Sequence, residues 1–285
     1  MKPARFDYHQ VRSVAEAVSV LDRYGYDAKV LAGGQSLVPA MNFRLARPGV
    51  LVDINHVTEL DHVTDEGEAV RIGSLVRHAA FEQPVVDGPL GRLLSLAAHH
   101  VGHLPIRVRG TFGGSLAHAD PAAEWGVIAL LLDAEILVRT VSGSRMIPAR
   151  RFFHTVFTTD LGPDELLLET RLGKLSASTR VGFQQFSRRA GDFALGMTAV
   201  ALEVRAGEIV AARIAMGGVS DRPVRADQAE EYLIGRPPGR SVFSEAAHLA
   251  AGGFDAVGDI HGSAEYRRDL VRALTRRALE QATAS

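Results

Sequence analysis

The chain has 285 residues, with 32 lysines and arginines against 33 aspartates and glutamates, a formal charge of −1. Such a balance gives no electrostatic reason to expect a nucleic-acid partner. The absence of cysteine excludes disulfides, a thiol nucleophile, thiolate zinc sites and any iron–sulfur cluster held by this chain's own cysteines. The N-terminal MKPARFDYHQ has no apolar run after its basic residues, and the longest aliphatic stretch, Val127 to Leu132, is far too short for a membrane span. A cytoplasmic protein of two or three domains is expected.

Val14, Ala17, Val18 and Leu21 repeat at helical spacing before Gly25, and Lys29 to Leu31 then reads as a short strand. Ala32-Gly33-Gly34-Gln35-Ser36 separates it from a second helix carrying Leu37, Met41 and Leu45, which should stop near Pro48. Leu51, Val52 and Ile54 predict a strand, and Val70, Ile72 and Leu75 another. Leu90 to Val101 reads as a helix, Trp125 to Leu132 as a buried one, and Ile136, Val138 and Val141 as a strand, as does Leu166 to Leu172. Met197 to Val204 and Ile209 to Met216 flank Ala206-Gly207-Glu208, the pattern of an antiparallel hairpin. Tyr266, Leu270, Leu274 and Ala278 mark an amphipathic helix over Ala264 to Ala282 with an arginine-rich solvent face. A boundary is expected near residue 175.

Two glycine-rich loops carry the chemistry. In Ala32 to Ser36, paired glycines allow a tight turn and close approach of backbone amides to an anion. Ser36 is placed to cap the following helix, whose N-terminus favours phosphate. Neither a GxGxxG nor a GxxxxGK[ST] pattern is present, so ordinary Rossmann and P-loop readings fail. In Arg109 to Trp125, Gly110, Gly113 and Gly114 leave access while Thr111, Ser115, His118 and Asp120 offer polar groups. Either loop alone is equally a tight turn; the pair points to a large phosphorylated cofactor. Asp53 is a candidate to orient a ribose or simply ends a strand. Arg188, Arg189 and Asp192 either face a ligand or form a surface ion pair. His99, His100 and His103 lie close together, without the acidic cluster a metal site would add.

Val30 to Pro48 (VLAGGQSLVPAMNFRLARP) and Pro105 to Trp125 (PIRVRGTFGGSLAHADPAAEW), followed by Phe186 to Ala194 (FSRRAGDFA), resemble the FAD-binding medium subunit of the molybdenum hydroxylases, the group of carbon monoxide dehydrogenase and xanthine dehydrogenase. The resemblance covers almost the whole chain. It implies an α+β fold: an FAD-binding fold of the vanillyl-alcohol-oxidase or PCMH type in two subdomains, residues 1–55 and 56–175, and a C-terminal flavoprotein domain, 176–285. It implies that Ala32, Gly33, Gly34, Gln35, Ser36 and Leu37 form the first diphosphate loop. Thr111, Gly113, Gly114 and Ser115 form the second, with Ala117 and Asp120 nearby and Phe112 near the flavin. Asp53 and Gly73 border the adenosine half, and Arg188 and Asp192 lie at the C-terminal domain boundary. Ser115 stands where many relatives have asparagine, Glu124 where many have aspartate, Phe112 where isoleucine is frequent, and Gln185 near a common lysine.

What the resemblance implies for function is electron transfer. A large subunit oxidises substrate at a molybdenum–pterin cofactor, a small subunit with two [2Fe–2S] clusters relays the electrons, and FAD in this chain passes them to an external acceptor, within a dimer of heterotrimers. The alternatives are a self-contained flavin oxidoreductase and a nonenzymatic nucleotide-binding subunit.

Overall fold

A computed structural model describes residues 2–284. Its first sheet is parallel and three-stranded: β1 (Asp7–Gln10), β2 (Ala28–Leu31) and β3 (Val50–Asp53), in the order β1–β3–β2. β3 is paired on both edges and buried throughout. α1 (Val14–Tyr24) carries the chain from β1 across to β2 on the far side of β3 and packs Ala17, Val18 and Leu21 inward. Ser13 starts α1 by accepting the Glu16 amide, and Gly25 ends it at φ 52°. Leu31 and Asp53 are register partners, so β2 and β3 end at one edge of the sheet. α2 (Leu37–Asn42) follows the first glycine loop and stops earlier than expected. Arg44 takes φ 58°, which turns the chain and leaves Leu45 85% exposed instead of on an apolar helix face.

The second sheet contains β4 (Val63–Asp65), β5 (Ala69–Gly73), β6 (Glu135–Arg139) and β7 (Ser144–Pro148). After a small hairpin of β8 (Phe153–Thr155) and β9 (Thr158–Thr159), β10 (Leu166–Gly173) returns to its centre, giving the antiparallel order β4–β5–β10–β6–β7. Val141 lies beyond the end of β6 in an exposed turn. α3 (Pro89–Ala98), α4 (Leu104–Arg107), α5 (Phe112–His118), α6 (Glu124–Leu131) and α7 (Ala149–Phe152) accompany this sheet. Every residue of α6 is buried, as its all-round apolar composition requires. Beside it Phe81, Phe112 and Trp125 pack with ring centroids 5.0–5.5 Å apart.

The third sheet joins β11 (Thr179–Phe186), β12 (Gly196–Arg205), β13 (Glu208–Gly217) and β14 (Val224–Arg225). Ala206 and Gly207 both take positive φ, 51° and 84°, as a tight hairpin turn requires. β12 alternates between two cores. Met197, Ala199 and Ala201 join the core around α6, whereas Val200 and Leu202 join one formed with α8 (Asp227–Leu233), α9 (Arg240–Gly252) and α10 (Ala264–Thr283). Burial on both faces explains why β12 reads as an almost continuous apolar run.

The solvent face expected for α10 needs correction at its first turns. Tyr266 is exposed and Arg267 is buried, donating to the carbonyls of Leu195 (3.0 Å) and Gly218 and pairing with Asp259 (2.7 Å).

Candidate functional site

The first glycine loop leaves the carboxyl end of β2, the edge at which parallel sheets bind ligands. Gly34 takes φ 72°, a conformation that a side chain disfavours. Among the described residues, no backbone N–H from Gly33 to Leu37 donates to a protein acceptor; the first to do so is that of Val38, to the Gly34 carbonyl. The loop is therefore a run of amides without acceptors, a fit for an anion. Ser36 does not cap α2 as expected. Its own backbone is already helical (φ −105°, ψ −48°), and its hydroxyl makes no capping bond. A capping side chain needs extended backbone.

The second loop is arranged differently. Phe112 N–H donates to Val76 O (2.9 Å), Gly113 N–H to Ser74 O (3.1 Å) and Ser115 N–H to Thr111 O (3.0 Å). Thr111 caps α5 by accepting the Gly114 amide at 3.1 Å. Backbone donors expected at both bends are thus free chiefly at the first; the second contributes hydroxyls. The buried Ser74 hydroxyl behind Gly113 has no hydrogen-bond partner. Phe112, expected near the flavin, is fully buried against Phe81 and Trp125. Its ring floors the loop from within the core.

The loops, 77 residues apart at Gly33 and Gly110, meet in space. A Cβ on Gly33 would strike the Arg109 carbonyl and the Gly110 Cα, and Gly114 approaches Ala32. Two side chains absent from the sequence expectations lie at this junction. Asn55 Nδ2 donates to Ala32 O (2.8 Å), and its Oδ1 accepts from Arg77 Nη2 (2.8 Å). Arg77 Nη1 donates to Arg109 O. Neither residue belongs to a local pattern that would have drawn attention; each follows shortly after a strand, outside both glycine-rich motifs.

Residues 4–173 match the family model for the FAD binding domain in molybdopterin dehydrogenase, and residues 182–282 that for the CO dehydrogenase flavoprotein C-terminal domain. The chain belongs to the FAD-binding medium subunits of the molybdenum hydroxylases. It is 40% identical to the 6-hydroxypseudooxynicotine dehydrogenase complex subunit alpha of Paenarthrobacter nicotinovorans, covering 99% of this chain and 96% of that one. Carbon monoxide dehydrogenase from Hydrogenophaga pseudoflava, in a form lacking the Mo-pyranopterin moiety, superimposes with a TM-score of 0.96 at 34% identity over 100% of this chain and 99% of that one. Quinoline 2-oxidoreductase from Pseudomonas putida 86 gives 0.94 at 35%, over 99% and 98%. The chain is thus an FAD-binding electron-transfer subunit of a molybdenum hydroxylase, and the fold is the α+β arrangement of that family.

The remaining candidates of this medium subunit are spread around the loops. Asp53 is buried with both carboxylate oxygens engaged, Oδ2 by the Tyr8 hydroxyl and Oδ1 by Asn55 N (2.9 Å) and Nδ2 (2.6 Å). Burial pushes its pKa up, but these donors outweigh it and hold the carboxyl below the usual range. Gly73 lies where a Cβ would strike the Leu60 carbonyl and His62 Nδ1. Asp120 Oδ1 accepts the Ala122 amide at 2.9 Å, shaping the turn into α6, and Ala117 is exposed on α5. Arg188 is exposed, Asp192 half-buried, and no ion pair joins Arg188, Arg189 and Asp192 among the described residues, so the surface salt bridge considered for them is not formed. Gly191, in the same segment, packs against His103. No helix among the described residues is long and apolar enough to cross a membrane.

Proposed function

We propose that the run Ala32, Gly33, Gly34, Gln35, Ser36 and Leu37 holds the FAD diphosphate through its free amides, and that Thr111, Gly113, Gly114 and Ser115 close the other side with hydroxyls and a low-bulk backbone. Ala117 and Asp120 border that side. Asp53 and Gly73 border the adenosine half, Asp53 by fixing the β3 edge through Tyr8 and Asn55. Arg188 and Asp192 approach from the C-terminal domain. The observation that carries this reading is the acceptor-free amide run of Gly33–Leu37 lying directly against the second glycine loop. FAD, when bound, supplies the ability to take electrons singly and release one or two. The chain's own residues bind it, orient it and limit its contact with water.

We further infer that substrate oxidation takes place at a molybdenum–pterin cofactor on a large subunit, and that two [2Fe–2S] clusters on a small subunit feed this chain. The complex would be a dimer of heterotrimers in the cytoplasm. A chain with no cysteine has no thiolates for such clusters, which supports their placement elsewhere. Native purification with flavin, iron and molybdenum measured in one complex tests the reading. All three with two accompanying chains is the expected result; a homogeneous active enzyme containing flavin alone would refute the division of labour. A folded chain that rejects added FAD would refute the cofactor site itself.

A further inference from the structure

We propose that Asn55 and Arg77 are positioning residues, a side-chain brace that holds the two glycine loops at the separation and orientation a diphosphate needs. The inference rests on the cofactor reading above and adds to it residues that touch the loops instead of the ligand.

The brace is continuous. Asn55 donates to the Ala32 carbonyl (2.8 Å), the last before the acceptor-free amides begin, and to the Leu31 carbonyl (3.4 Å). Arg77 donates to the Arg109 carbonyl, where the second loop begins, and to Asn55 Oδ1 (2.8 Å). In a trans peptide the C=O and N–H point in opposite directions. Anchoring the Ala32 carbonyl on Asn55 therefore aims the Gly33 N–H away from the brace. The Arg109 oxygen held by Arg77 is also the atom a Cβ at Gly33 would strike, so its position sets how closely the loops approach. Asp53 fixes Asn55 from behind through its main-chain and side-chain nitrogens (2.9 and 2.6 Å).

The charge of Arg77 suits the same task. No carboxylate lies within ion-pairing distance of it among the described residues, although Asp61 and Asp53 act on it from further away. Burial lowers its pKa, and the neighbouring Arg109 adds to that effect. An anion at the loops would offset both influences.

The test uses the full chain, purified with whatever subunits accompany it and stripped of flavin. FAD, ADP and riboflavin are titrated into the unmutated protein and into Asn55→Ala, Arg77→Ala, Arg77→Gln and the Asn55→Ala/Arg77→Ala double variant. ADP carries the diphosphate without the flavin ring, and riboflavin the ring without the diphosphate. Each alanine variant should weaken FAD and ADP by about tenfold, the scale of a lost charge-assisted hydrogen bond, and leave riboflavin within about twofold. The double variant should be no worse than the weaker single variant, since both break one chain of bonds. Arg77→Gln keeps a donor without the charge, and it carries the test should Arg77→Ala not fold; it too should lose FAD and ADP selectively. Unchanged FAD affinity in Arg77→Gln and Asn55→Ala would overturn the brace, as would an equal loss of all three ligands, which is what general loosening produces. If the unmutated chain binds neither FAD nor ADP, the cofactor reading falls and the brace with it.

Discussion

Glu124 at the start of α6 accepts a hydrogen bond from Gln185 on β11, Nε2 to Oε1 at 3.0 Å, joining the FAD-binding and C-terminal regions through a buried carboxyl. Burial is the main influence on that carboxyl and pushes its pKa up to about 7. Its own main-chain amide and Gln185 oppose the shift, and Asp120 reinforces it. Gln185 Oε1 is itself buried without a partner, so a protonated Glu124 presents a donor beside an unused acceptor. The folded chain keeps a proton that the unfolded chain releases near pH 4.5, so this group's stabilisation is fully present below about pH 4.5 and is lost as pH rises through about 7. The difference amounts to about 3 kcal/mol. Glu124→Gln cannot titrate; its stability relative to the unmutated protein, from urea unfolding between pH 4.5 and 7.5, should rise with pH. A constant difference across that range would show that Glu124 is ionised throughout.

Gly33→Ala tests the contact between the loops. The new Cβ would overlap the Arg109 carbonyl and come within 2.6 Å of the Gly110 Cα, backbone atoms that cannot swing aside. Separating the loops should destabilise the apoprotein by about 1–3 kcal/mol, the usual range for overpacking. Flavin retention should fall at least about tenfold, because in the proposed site the diphosphate spans both loops. Gly207→Ala at the hairpin tip, at positive φ (84°) and in open space, is the control: backbone strain without contact between the loops and without loss of flavin. The ratio of flavin to protein absorbance after gel filtration distinguishes the two.

Arg267 shows how far a local pattern reaches. Its buried guanidinium satisfies the Leu195 and Gly218 carbonyls, and the Gly218 N–H in turn holds the Pro121 carbonyl at 2.7 Å. The C-terminal helix is thereby tied to the end of the second glycine motif. Arg267→Ala should cost about 3 kcal/mol, since it leaves buried acceptors unpaired. Asp259→Ala should cost about 1 kcal/mol or less, because that carboxylate is nearly half exposed and screened by water. Denaturant midpoints measured on the full chain check the ranking; equal costs would mean the ion pair, not the carbonyl contacts, gives Arg267 its importance.

These residues also mark what the sequence made legible. α1, β2, β3 and the β12–β13 hairpin were readable because each carries its own periodicity and its own stop, such as Gly25 or Ala206-Gly207. β1 was not, since Asp7-Tyr8-His9-Gln10 is polar and becomes a strand only by pairing with β3. α9 is an alanine-rich helix whose apolar face is too small-sided to stand out from composition. Arg267 looked like a solvent residue because helical spacing says nothing about a neighbouring loop with unpaired carbonyls. The two glycine loops were legible as motifs, but their meeting at Gly33 and Arg109 is set by the packing of separate sheets. The brace of Asn55 and Arg77 exists only once that packing has formed.

His78 supplies the counterpart to Glu124. Its Nδ1 accepts the Trp125 indole N–H at 2.9 Å, so the ring is neutral with its proton on Nε2. Burial, with the charges of Arg77 and Arg107 adding to it, lowers its pKa to about 4. The unfolded chain binds a proton near pH 6.5 that the folded chain refuses until about pH 4, so this stabilisation is present above about pH 6.5 and is lost as pH falls through about 4. Its size, about 3 kcal/mol, matches that of Glu124 with the opposite sign. The two should therefore nearly cancel, giving the unmutated protein a shallow stability profile between pH 4.5 and 6.5. His78→Gln keeps an acceptor for Trp125 and removes the titration; it should leave stability falling as pH rises across that window. Glu124→Gln should show the reverse slope, and the double variant should be shallow again. A double variant as steep as either single one would show that the two groups are not the pair that sets the pH response.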